Sequence, residues 1–278
     1  MAVDIAPELL LKIQTDFQKS IEQSARIREL YSLLKAGKAT YKEASEYAEL
    51  IGDFLAAAFK KHIYSDALPD GRLYFNIADR VIRNMLESDY KLVTDFAAEV
   101  QAVLNKQAGI SIKPVVPKIN EDYMKAIIDR VAIEPRFDDV MWALQEPITN
   151  FSMAIVDDAV RENAGVHYKA GLSPIVVRIP TAGCCKWCAN LAGVYEYSKV
   201  SNKGNDVFRR HRFCRCTVFY DPRDGAKREN VHTKKEFGTK EDMEARIRLA
   251  EKQRAELAKE AEKRRLARIE LAKTKKGA

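Results

Sequence analysis

All five cysteines of the 278-residue chain fall between residues 184 and 216: Cys184, Cys185, Cys188, Cys214 and Cys216. Core cysteines scatter along a chain, whereas these are grouped by spacing. Cys185-Lys-Trp-Cys188 is followed, after twenty-two residues, by His211-Arg-Phe-Cys214-Arg-Cys216. A C-x-x-C step brings two sulfurs to one ion through a tight turn, and a second Cys/His cluster supplies the rest of a tetrahedron. This is the donor set that zinc favours. The expected ligands are therefore Cys185, Cys188, His211, Cys214 and Cys216, with more candidates than the four a closed site needs. Cys185 and Cys188 form the first pair. The second is His211 with Cys214 or Cys216, or both cysteines with His211 left aside. Cys184 is a bystander, a redox partner or an alternative ligand. A closed set of four is structural, because it staples a small module with little core of its own.

Other uses of these thiols fit less well. Redox chemistry at C-x-x-C belongs to a βαβ context, which the surrounding pattern lacks. A disulfide scaffold belongs to an exported protein, and the start MAVDIAPELLLKIQ has neither the basic opening nor the small-residue cleavage site of a signal peptide. No stretch approaches the roughly 20 consecutive apolar residues of a membrane span. The expectation is a protein made in the cytosol without a membrane span. His211, Glu196 and Asp206 lie in the module, and His232 has Asp224 and Glu229 nearby, yet none of these makes a specific catalytic set. No enzyme is expected, and a zinc-stapled nuclease is the alternative.

Basic residues crowd the second cluster. Arg209, Arg210, Arg212 and Arg215 surround His211 and Cys214. Guanidinium groups bind phosphate bidentately, so these four are expected to contact nucleic acid or another polyanion. Trp187 and Phe213 are expected to pack the small core of the module. The charge of the whole chain is +7, unevenly spread. Residues 1–171 hold 21 Lys/Arg against 26 Asp/Glu, residues 172–222 hold 8 against 3, and residues 223–278 hold 18 against 11. The basic surplus thus begins with the cysteines and continues to the end, which suits non-specific contact with double-stranded DNA.

The elements that must position these groups come in three parts, giving a mainly α fold. Residues 1–170 are expected to form a helical domain. Leu9, Leu10, Ile13, Phe17, Ile21, Ile27 and Leu30 keep helical spacing, and Thr40 with Glu43 makes a capping box for a helix reaching about Phe59. A long stripe runs from Leu73 to Leu104. Pro114 and Pro117 mark residues 110–120 as an extended linker. Helices follow over 121–132 and 137–163, with Pro147 expected to kink or split the latter. Residues 171–236 are expected to form the α+β metal module, with strands at 175–179, 194–197 and 217–220. The strand at 194–197 is expected to open a hairpin inside the gap between the two cysteine clusters. Residues 237–278, dominated by Glu, Lys, Arg, Ala and Leu, read as a long charged helix.

A C-x-x-C, then Gly193, then a histidine ahead of Cys214-Arg-Cys216 resembles the phage minor head proteins of the MuF type. Their usual signature ends in H-P-x-C-R-C, and here Arg212 stands where the proline would be. The doubled Cys184-Cys185 also departs from the pattern. The segment Asn230–Lys235 (NVHTKK) is similar to a stretch of phage homologues. The resemblance covers roughly residues 175–236. It implies a low-copy protein of the virion head, assembled in the host cytoplasm. It also implies association with the portal protein, other head proteins and packaged DNA, in head morphogenesis and DNA ejection. Some members carry a toxin domain after the motif, and none is expected from the charged helix here.

Overall fold

The computed structural model describes residues 4–200 and 207–223. The expected charged helix over 237–278, His232 and Asp206 lie outside the described residues. The described chain is mainly helical, with one small antiparallel sheet. Among its helices, none is long and apolar enough to cross a membrane.

The first stripe forms two helices, α1 (Ala6–Gln23) and α2 (Ala25–Lys35). The break falls at Ser24, whose extended backbone and side-chain oxygen cap α2 by accepting from the Ile27 N–H. The capping box at Thr40 and Glu43 opens α3 (Tyr41–His62) as expected. The long stripe is one rod made of α4 (Phe75–Ala78), a π-helical turn (Asp79–Arg83) and α5 (Asn84–Gln107). Residues 110–120 carry no regular structure. The Asn163 side chain holds that linker as a strand would, accepting from Val115 N–H and donating to Val115 C=O, each at 2.8 Å. Next comes α6 (Glu121–Ile133), followed by short 3-10 turns and α7 (Glu146–Lys169). Pro147 neither kinks nor splits a helix. It sits in the first turn of α7, where its missing N–H has no partner to lose.

The core lies where α3 crosses α7, with α1 and α5 packed around them. The crossing is close because Gly52 has no side chain. A Cβ there would stand 2.6 Å from Thr149 Cα and 2.7 Å from Ser152 Oγ.

The sheet has the order β2-β1-β3, with β1 (Ile175–Ile179) central, β2 (Gly193–Glu196) and β3 (Thr217–Asp221). The expected strands are all present, and β2 pairs antiparallel with β1, with no second strand among the described residues of the cysteine gap. Val176 stands opposite Tyr220, and Arg178 opposite Val218, so these four share one face. Val176, Val218 and Tyr220 belong to the same core as α3 and α7. The Tyr220 ring lies 6.0 Å from that of Tyr41, and its hydroxyl is 3.0 Å from His167 Nδ1. The sheet therefore shares the helical core.

Candidate metal centre

Two tight turns aim the cysteines at one another. In the first, Cys185 caps the short helix α8 (Lys186–Asn190), and its Sγ accepts from the Cys188 N–H at 3.4 Å. That bond folds the sulfur of the cap back over the turn, beside the sulfur of Cys188. In the second, the Cys214 N–H donates to His211 C=O at 3.0 Å. This turn needs a left-handed residue, and Phe213 takes that role at φ +65° where glycine would be unstrained.

The two turns face each other. His211 Nε2 lies 3.2 Å from Cys185 Sγ and 2.9 Å from Cys188 Sγ, while Cys188 Sγ lies 3.7 Å from Cys214 Sγ. Two thiolates on one tetrahedral zinc at about 2.3 Å each would stand about 3.8 Å apart. Two groups can hold a metal ion: Cys185, Cys188 and His211, and Cys188, Cys214 and Cys216, with Cys188 common to both. The structure thus brings together all five expected ligands. Cys188, Cys214 and Cys216 are buried, forming a small cluster with Cys184, Cys185 and Trp187 packed against it. Cys184 lies outside both groups, with its N–H donating to Thr181 C=O.

The histidine is pre-set to offer a lone pair. A carbonyl oxygen can only accept, so the 2.5 Å contact between His211 Nδ1 and its neighbour Arg212 C=O places the proton on Nδ1. Nε2 then faces the sulfurs bare, as a metal-binding imidazole requires. Trp187 holds the ring edge-on at 5.4 Å, and Asn150 of α7 donates to His211 C=O at 3.2 Å. Among the three buried sulfurs, the contacts from Cys188 and Cys216, helped by nearby Arg210, favour ionisation of Cys214. Its partner Cys188 is pushed the other way, chiefly by Cys214. One sulfur of the buried group is thus biased toward the thiolate that a metal ion binds.

The four arginines expected to meet a polyanion divide into two pairs. Arg210 and Arg215 turn inward, which corrects the expectation for both. Arg210 binds Asp157 of α7 through Nε at 2.6 Å and Nη2 at 2.8 Å, and neither side chain is more than 4% exposed. Arg215 lies 2.8 Å from Glu49 of α3 and 3.0 Å from Glu146 of α7, so it bridges the two core helices. A buried carboxylate is the stronger claimant because a desolvated charge without a partner is costly. Arg209 and Arg212 are exposed. Arg212 stacks over Trp142 and over Phe213, 4.9 Å from each ring centre. Phe213 is also a correction: it is 61% exposed and does not pack the module, because the turn that aligns His211 and Cys214 points its ring outward.

Arg178 was not anticipated from the sequence. It is fully buried in the middle of the sheet. Its Nη2 lies 3.4 Å from Cys214 Sγ, its Nη1 donates to Val207 C=O, and its guanidinium lies over Trp187 at 5.6 Å. The only signal was a charged residue inside the apolar run IVVRI.

No family model matches the chain, and neither the curated proteins nor the solved structures contain a match to it.

Proposed function

We propose that the chain is a non-enzymatic head protein of a tailed bacteriophage, in which a structural zinc ion staples the sheet module onto a helical body. The observation that carries the structural half is the donor set itself. Five Cys/His ligand atoms converge in two overlapping groups of three around the buried Cys188, more donors than the four that a structural zinc takes. Three tethers then bind the turn carrying His211 and Cys214 to the core helices: Arg210–Asp157, Arg215–Glu49 and Asn150–His211. A site so placed serves stability and orientation.

The virion half rests on the resemblance of the Cys185–Cys216 pattern to minor head proteins of the MuF type. Charge supports it. The excess of Lys/Arg over residues 223–278, together with exposed Arg209 and Arg212, suits non-specific contact with packaged DNA beside the portal. Quantitative mass spectrometry of purified virions tests it. Full heads are expected to hold the protein at low copy, and a fall in emptied heads would mean release with the genome. Absence from full heads overturns the reading.

A further inference from the structure

Phe213 is held where the fold itself has no use for an aromatic ring. Its backbone lies in the left-handed region at φ +65°, where a bulky residue is strained and glycine is not. Its ring is 61% exposed, so burial does not offset the strain. Strain kept at an exposed side chain points to a role outside the fold. The ring also belongs to a larger arrangement. Arg212 lies over it and over Trp142, 4.9 Å from each ring centre, and Arg130 of α6 lies over Trp142 at 5.6 Å. Four side chains from three segments thus form one run of alternating guanidinium and aromatic groups. Arg130 is paired with Glu134 at 3.2 Å. Arg212 is exposed, and among the described residues its guanidinium meets the two rings and no carboxylate. Its N–H donors are left for an acceptor from outside.

We propose that this run is a binding platform for single-stranded nucleic acid. An unpaired base stacks on the exposed ring of Phe213, and Arg212 holds the adjoining phosphate. An aromatic face beside a stacked arginine is the pairing that sequence-tolerant sites for unpaired bases use. The local charge suits a polyanion, with 8 Lys/Arg against 3 Asp/Glu over residues 172–222. Duplex DNA offers phosphates but keeps its bases stacked on one another, so this site goes beyond the charge contact with packaged DNA proposed above. An acidic protein segment would satisfy Arg212 and leave the ring of Phe213 without a partner.

Fluorescence anisotropy of the full chain tests this, with a labelled oligothymidylate of about 20 nucleotides and a duplex of the same length as probes. The oligothymidylate is expected to bind more tightly than the duplex at equal salt. Phe213→Gly removes the ring and suits the left-handed backbone, so the thermal midpoint should not fall. It should weaken oligothymidylate binding by about 5–150-fold, the loss of one stacked base, and leave duplex binding unchanged. Arg212→Lys keeps the charge but loses the planar group, and should likewise weaken the single strand alone. Oligouridylate as a third probe identifies which sugar the site accepts, and tight binding of either single strand agrees with the proposal. A wild type that prefers the duplex overturns it, as does a Phe213→Gly or Arg212→Lys protein that binds the single strand as the wild type does. Polyglutamate that binds as tightly, and loses the same factor in Phe213→Gly, overturns it in favour of an acidic protein partner. Duplex binding that persists in these cases leaves the proposed function standing, so the two failures are distinguishable.

Discussion

Arg210 and Asp157, fifty-three residues apart, meet in a two-pronged ion pair that is almost wholly withdrawn from solvent. It ties the turn carrying His211 and Cys214 to the middle of α7. Cutting one partner strands the other charge in the core. Asp157→Ala is therefore expected to destabilise the fold by about 3–5 kcal/mol, measured by chemical denaturation. The exposed pair Lys12–Glu8 should behave differently, with Glu8→Gln leaving the midpoint where it was. An Asp157→Ala midpoint equal to the wild type would show that the pair does not anchor the module.

A second buried carboxyl, Asp89, has no cation beside it. Burial raises its pKa to about 8, with Ser152 as its hydrogen-bond partner. Ser152 Oγ is 2.9 and 3.0 Å from the two carboxyl oxygens and 3.1 Å from Ile148 C=O. A protonated Asp89 satisfies this geometry, donating to Ser152, which donates onward to Ile148. The unfolded chain releases that proton near the ordinary value of about 3.9. Between there and pH 8 the folded state holds the extra proton, so stability falls as pH rises, by at most about 1.4 kcal/mol per unit, and levels off above 8. Asp89→Asn should flatten this slope and be the more stable protein at pH 8. Melting curves from pH 5 to 8 check it, and an unchanged slope in the variant would contradict it.

The close approach of α3 and α7 gives a third expectation. A Cβ at Gly52 meets the backbone at Thr149, which cannot step aside. Gly52→Ala is expected to cost about 1–3 kcal/mol through overpacking. At Gly165 the obstacle is the far end of Tyr197, 2.6 Å away, and a side chain can swing. Gly165→Ala should cost less. Denaturant midpoints for the pair test whether the crossing is as tight as it stands.

What was legible in the sequence was local. Thr40 and Glu43 mark a helix start because the capping box needs only four residues. The run IVVRI marks β1 to the residue, and C-x-x-C with H-x-x-C-x-C marks the five sulfur and nitrogen donors. Features fixed by distant partners were not legible. Arg210 and Arg215 look like surface cations until Asp157 and Glu49 arrive from helices far away in the chain. Arg178 looks like the polar edge of a strand until Val207, Trp187 and Cys214 close around it. Pro147 reads as a break because a helix-breaking residue and a helix-starting residue are the same residue in different places.

Metal removal should separate the sheet from the knuckles. Val176, Val218 and Tyr220 lie in the helical core, so β1 and β3 have support that owes nothing to the ion. Residues 184–192 place no side chain in that core and depend on the sulfur cluster, whereas residues 207–216 keep Val207 in the core and the ion pairs of Arg210 and Arg215. Hydrogen exchange after chelation is expected to rise most in residues 184–192 while β1, β3 and α7 stay protected. A uniform loss across β1 and α7 would mean that the centre holds the whole fold.

Whether the cysteines and His211 hold a structural metal ion is tested most directly by elemental analysis of the protein purified without chelator, paired with titration of its accessible thiols before and after chelation. One zinc per chain is expected, with the buried thiols of Cys188, Cys214 and Cys216 shielded until the ion is removed. A folded protein that carries no metal and has all five thiols titratable from the start would contradict it.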